Sequence, residues 1–168
     1  MKLNNKSLLL YAVTDRRWSD NDTFYKHIEE SLKGGVTFLQ LREKNLDIDS
    51  FFKEAIKIKE LCKKYNVPFI INDNVEIALK SNADGIHVGQ DDMGVEEVRK
   101  LIGKEKILGV SVQTVEQALL AQSQGANYLG VGSIFTTTSN DDAKSVSINT
   151  LKEICNVVNI PVVAIGGI

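Results

Sequence analysis

Seven short apolar runs, at residues 8–13, 38–41, 69–71, 85–88, 107–110, 128–131 and 162–165, punctuate the chain, with polar or amphipathic stretches between them. Each is of strand length and most are rich in Val, Ile, Leu or Phe, the pattern of parallel strands covered on both faces. Helical spacing follows in Phe24, Ile28 and Leu32, then in Phe51, Ala55, Ile58 and Cys62, then in Val95, Val98 and Ile102. Val115, Ala118, Leu119 and Gln122, and then Leu151, Ile154, Cys155 and Val158, continue it. Such stripes lay one helix face on a sheet. Asp22, Asp47 or Asp49, Thr114 and Ser147 are the expected N-caps, and Gly34-Gly35 and Gly125 close helices. Strand followed by helix, repeated, predicts a parallel sheet. The choice is between an open doubly wound sheet and a closed barrel. Related entries into alternate strands, Gly34-Gly35-Val36, Asn82-Ala83-Asp84-Gly85 and Gly125-Ala126-Asn127, point to the barrel. No linker divides the 168 residues, so one α/β barrel domain over 1–168 is expected.

The net charge of −2 speaks against a nucleic-acid footprint, which needs clustered Lys and Arg. Lys53, Lys57, Lys59, Lys63 and Lys64 read as a solvated helix face. Cys62 and Cys155 lie far apart without CxxC spacing and read as free thiols, which fits the reducing cytoplasm. The apolar run at 8–13 is too short for a signal peptide and is followed at once by Thr14-Asp15-Arg16-Arg17. No stretch approaches the ~20 apolar residues of a membrane span.

Polar residues gather where the predicted strands end: Thr14-Asp15, Gln40 to Lys44, Asn72-Asp73, His87 to Asp92, Ser111, Gly130 to Ser133 and Gly166-Gly167. In a barrel these ends share one rim, where active sites of the fold lie. Gln40 and Arg42 are two apart and therefore share a strand face, with Lys44 just beyond. Two cations with the neutral donors Gln40 and Asn72 suit a multiply charged anion such as pyrophosphate. Asp73 and Asp92 come from different strand ends and suit a shared hard cation such as Mg²⁺. Gly166-Gly167 lets a phosphate approach bare backbone. Structural alternatives stand beside these readings. Arg42 or Lys44 can pair with Glu43 or Asp73, and Asp73 can be a turn residue or a cap. Asp91 and Asp92 beside Gly94 can be a helix cap, and the two glycines a tight turn. His87 reads as a packed or hydrogen-bonded imidazole rather than an acid–base group, and His27 as a surface residue. The constellation as a whole favours a ligand site.

At these residues the chain resembles the thiamine phosphate synthase family nearly end to end. The matching segments are Tyr11-Ala12-Val13-Thr14-Asp15, Gln40-Leu41-Arg42-Glu43-Lys44, Ile71-Asn72-Asp73 and the stretch from Ala83 to Asp92. Gly109-Val110-Ser111, Gly130-Val131-Gly132-Ser133-Ile134-Phe135 and the stretch from Pro161 to Ile168 complete the set. The resemblance implies a transferase that joins hydroxymethylpyrimidine diphosphate to hydroxyethylthiazole phosphate with Mg²⁺, releasing pyrophosphate first. It implies Arg42, Lys44 and Asn72 on the diphosphate and Gln40 on pyrimidine and diphosphate, with Ser111 beside them. Arg42, Lys44 and Ser111 are the expected catalytic residues. Asp73 and Asp92 are the expected metal ligands, and Thr137, Ser139 and Gly167 the thiazole-phosphate contacts. The expected partners are these small molecules, with no nucleic acid and no membrane.

Two departures from the family pattern stand out. Where the family has Thr-x-Thr-Lys after strand 6, this chain has Thr137-Thr138-Ser139-Asn140, and Lys144 is the nearest compensating cation; Ser133 stands where Pro is usual. The chain also stops at Ile168, after strand 7. That predicts a C-terminally truncated barrel, either weakly stable or a homo-oligomer that covers the gap. Three rival functions are kept. A thiazole tautomerase carries a His two residues past the strand-5 Ser, where this chain has Gln113. A ligand-binding remnant would bind without turnover. Other phosphate-binding barrels, such as sugar-phosphate epimerases and indole-pathway enzymes, use dedicated acid–base pairs.

Overall fold

The computed structural model describes residue 3, residues 5–137 and residues 145–168. Contacts divide the chain into two compact units, Met1–Ile86 and His87–Ile168. The first holds β1 (Tyr11–Val13), α1 (Asn21–Lys33), β2 (Phe38–Leu41), α2 (Ile48–Lys64), β3 (Phe69–Asn72) and α3 (Val75–Lys80). It ends within β4 (Gly85–Val88). The second holds the remainder of β4, then α4 (Val95–Ile102), β5 (Ile107–Val112), α5 (Val115–Ser123), β6 (Tyr128–Val131), α6 (Ile148–Val157) and β7 (Val162–Ala164). Within each unit, neighbours in the sheet follow chain order, and the pairing is parallel in both: Val13 opposite Gln40, Gln40 opposite Ile70, Ser111 opposite Gly130, Val131 opposite Ala164.

The apolar runs of the inner strands β2 to β6 form strands covered on both faces, while β1 and β7 are only partly covered. All four residues of β2 are buried, as are Phe69, Ile70 and Ile71 of β3 and every residue of β6. Each such large side chain contributes about 1.5–3 kcal/mol by leaving water. The helix stripes of the first unit are buried as their spacing requires: Phe24, Ile28 and Leu32 on α1, and Phe51, Ala55, Ile58 and Cys62 on α2. In the second unit two stripe residues turn outward. Leu119 is exposed and α5 buries Ala118 and Ala121 instead, while Cys155 is exposed and α6 buries Ile154.

The cap of α1 is Asp20, not Asp22 as the apolar spacing suggested. Asp20 accepts from the Thr23 backbone N–H at 2.8 Å and Thr23 Oγ1 accepts from the Asp20 N–H at 3.2 Å, and this reciprocal pair sets the start of the helix. Asp47, Thr114 and Ser147 cap α2, α5 and α6 as expected. At the N-terminal ends of β5 and β6, Arg99 donates to the carbonyls of Gly103, Lys106 and Gly125 and to Asn127 Oδ1. In the first unit Lys59 donates to the Ser81 and Asn82 carbonyls, so it closes α3 rather than only facing water.

Candidate active site

The C-terminal ends of β2 and β3 bring together Gln40, Arg42, Lys44, Asn72 and Asp73 within the first unit. Gln40 is buried and donates from Nε2 to the Tyr11 hydroxyl at 2.5 Å. The Arg42 backbone is fastened to the loop after β1, its N–H donating to Thr14 Oγ1 at 2.9 Å. Its half-buried side chain makes no hydrogen bond or ion pair among the described residues. Its charge does reach Asp15, whose carboxyl is held below the usual range chiefly by its bond to Arg17 and more weakly by Arg42. Lys44 pairs with Asp73 at 3.3 Å. Asp73 sits in the left-handed backbone region at φ +62°, a conformation that costs free energy outside glycine and concentrates at functional sites. It is not a helix cap: Asn74 holds that role, accepting from the Ile77 N–H at 2.9 Å.

Glu43, between the two cations, pairs with Arg16 at 3.0 Å, with its own side chain 3% exposed. The same guanidinium binds Glu54 of α2. Burial, then the neighbouring Glu43, push the Glu54 carboxyl up to about 7 against the pull of Arg16. Neither Arg16 nor Glu54 was singled out from the sequence. The signal lay in Glu43 itself, because a residue alternating between two rim cations points inward and then needs a buried cation.

In the second unit His87, Tyr128 and Ser111 form a chain. His87 Nδ1 lies 2.8 Å from the Tyr128 hydroxyl and Nε2 lies 2.9 Å from Ser111 Oγ. Burial lowers the His87 pKa to about 4, so the ring is neutral at physiological pH and serves as a hydrogen-bonded anchor for Ser111. Asp92 is exposed and accepts the Gly89 N–H on Oδ2 at 2.7 Å. The cap of α4 is Gly94, without a side-chain bond, so Asp92 is no helix cap either. The strands β6 and β7 bring the Thr137 loop against the two terminal glycines: Phe135 N–H donates to the Gly166 carbonyl at 2.8 Å. A Cβ on Gly167 would lie 2.8 Å from both Phe135 Cβ and the Thr136 carbonyl oxygen, and the φ of +71° also demands glycine. Ser133 is buried and its hydroxyl donates to the Phe135 carbonyl, stiffening the loop in a different way from a proline. Ser139, Asn140 and Lys144 lie outside the described residues. Among the described residues no cluster of three or more metal-ligating side chains occurs, and no helix is long and apolar enough to cross a membrane.

Among the shifted groups, His87 and Glu54 oppose each other in pH. For His87 the folded pKa lies below the ordinary 6.5, so stability falls as pH drops from about 6.5 to about 4. For Glu54 the folded pKa lies above the ordinary 4.5, so its contribution is present below that value and is lost as pH rises through about 7. Urea midpoints are therefore expected to stay nearly level between about 4.5 and 6.5. In Glu54→Gln, whose Arg16–Glu43 pair remains, stability should fall on acidification by up to about 1.4 kcal/mol per pH unit. An equally level profile in that variant would contradict the assignment.

Comparison with known proteins adds a family. The model described as thiamine monophosphate synthase matches residues 10–168. The thiamine-phosphate synthase of Clostridium tetani is 56% identical over 168 residues, covering 99% of this chain and 80% of that protein. The corresponding protein of Clostridioides difficile is 55% identical, covering 97% and 78%. Among solved structures, the thiamine phosphate pyrophosphorylase of Pyrococcus furiosus superposes with a TM-score of 0.88 at 38% identity, over 97% of this chain and 77% of that one. The α/β barrel class expected from the strand pattern holds.

Proposed function

Because the chain belongs to the thiamine monophosphate synthase family, whose members are transferases, we propose that it joins hydroxymethylpyrimidine diphosphate to hydroxyethylthiazole phosphate. The products are thiamine phosphate and pyrophosphate. In this reading the bond between the pyrimidine methylene carbon and the diphosphate oxygen breaks first, and pyrophosphate leaves with the electron pair. The thiazole nitrogen then attacks the resulting pyrimidine-methyl cation. No side-chain nucleophile is needed, so the chain's task is to hold and stabilise the departing anion.

The observation that carries the proposal is the grouping at the ends of β2 and β3. Arg42, whose guanidinium has no ion-pair partner among the described residues, lies at the same strand end as Gln40 and Lys44, and Asn72 ends the neighbouring strand β3. Arg42, Lys44 and Asn72 would hold the diphosphate, and Gln40 and Ser111 would orient the pyrimidine. Thr137, Ser139 and Gly167 would receive the thiazole phosphate. Asp73 and Asp92 are the candidate Mg²⁺ ligands. Neither caps a helix, and Asp92 is oriented by the Gly89 N–H, as a ligand carboxylate is by its outer partners. Bound there, Mg²⁺ would supply positive charge to the diphosphate oxygens.

Incubation with both substrates and Mg²⁺ should release pyrophosphate in step with thiamine phosphate. Asp92→Ala should raise the Mg²⁺ concentration needed for half-maximal rate by about tenfold or more. A tautomerase releases no pyrophosphate, and a ligand-binding remnant binds pyrophosphate without turnover; either outcome would replace the proposal.

A further inference from the structure

We propose that Arg16 is a positioning residue for the diphosphate subsite, acting through Glu43 to fix the turn from which Arg42 and Lys44 project. The inference rests on the reading of Arg42 and Lys44 given above. β2 ends at Leu41, so the residues that follow lack a strand's ladder to hold them. What holds them is Glu43. Its side chain is 3% exposed, and a carboxylate so buried needs a charged partner. Arg16 Nε lies 3.1 and 3.2 Å from its two oxygens. With Glu43 drawn inward, the backbone on either side of it, which carries Arg42 and Lys44, is pinned at that point.

Arg16 is itself fixed on three sides. It belongs to the 3-10 turn Arg16–Trp18 just after β1. Its guanidinium also binds Glu54 in the second turn of α2, and it stacks 4.2 Å from the ring centroid of Phe24 on α1. One planar, multiply donating group thus joins the exits of β1 and β2 to the two helices that follow them, a geometry that a lysine cannot reproduce. Thr14 adds a second tie at Arg42.

Glu43→Gln tests this sharply. Arg16 keeps Glu54 as its partner, so the variant retains a paired cation and should fold. If charge alone mattered, deleting an anion beside two cations would tighten anion binding. The positioning role requires the reverse: pyrophosphate with Mg²⁺, titrated calorimetrically into the full chain, should bind about tenfold or more weakly. Arg16→Lys should weaken it as well. Hydrogen exchange of the amides at 42–46 should rise in both variants with no ligand present. Exchange at the parental rate would overturn the positioning role whether or not the chain binds pyrophosphate, as would parental or tighter binding in Glu43→Gln. A parent chain that neither binds nor releases pyrophosphate, with exchange raised in the variants, would overturn the functional reading and leave Arg16 as the anchor of this turn.

Discussion

Gly109→Ala should lower stability by about 4 kcal/mol, from about 1–3 kcal/mol of overpacking and a comparable cost for a broken buried hydrogen bond. Gly109 lies opposite Tyr128 in the β5–β6 register. A Cβ there would stand 2.1 Å from Tyr128 Cζ and 2.2 Å from its hydroxyl oxygen. Tyr128 is fully buried, so its ring cannot move aside into solvent. Displacing it also removes the hydroxyl from His87 Nδ1, now 2.8 Å away, and leaves a buried imidazole nitrogen unsatisfied. For a chain of this size the melting temperature should drop by about 10 °C. Gly109→Ala/Tyr128→Leu removes the obstructing ring and should be more stable than Gly109→Ala alone, a coupling expected only of groups in contact. A Gly109→Ala protein melting within about 2 °C of its parent would show that the ring has room elsewhere.

Gly109 also illustrates where the sequence is legible. The seven apolar runs located the seven strands found among the described residues, because parallel strands covered by their neighbours admit few polar residues and stand out without an alignment. Helices were legible in proportion to length. α2, with 17 residues, showed its whole buried apolar stripe though not the buried Glu54, whereas α3 has six and offers no period to read. On α5 and α6 the stripes held at Ala118, Ile154 and Val158, but Leu119 and Cys155 turned outward, and on α5 the inward positions are alanines, whose pull toward the core is weaker than that of the leucine beside them. Candidate site residues stood out where they follow a strand end directly, as Arg42 and Asp73 do. The partners that orient them were not. Arg16 meets Glu54 across 38 positions and Tyr128 meets His87 across 41, and nothing local marks either pairing.

Arg42→Ala should reduce turnover by about 10²–10³, the usual cost of removing one preorganised donor from developing negative charge. The loss should fall mainly on kcat, because the charge Arg42 would meet grows as the diphosphate departs. Lys44→Ala should cost less. Lys44 is already paired with Asp73 at 3.3 Å and its side chain is 56% exposed, and such rim pairs are worth about 0–1 kcal/mol. Removing it also takes away the Asp73 ion pair, so a weaker hold on diphosphate would be partly offset if Asp73 serves as the proposed Mg²⁺ ligand. Steady-state rates at saturating Mg²⁺ would separate the two variants. Arg42→Lys should recover only part of the loss, since an ammonium cannot make the paired contacts of a guanidinium with phosphate oxygens. The ordering follows from the proposed roles: of the two, Arg42 has no ion-pair partner among the described residues and would meet the leaving group directly, whereas Lys44 would have to give up Asp73 to do so. If Arg42→Ala kept kcat within about threefold of its parent while Lys44→Ala did not, that ordering would be reversed, and Lys44 rather than Arg42 would carry the departing charge.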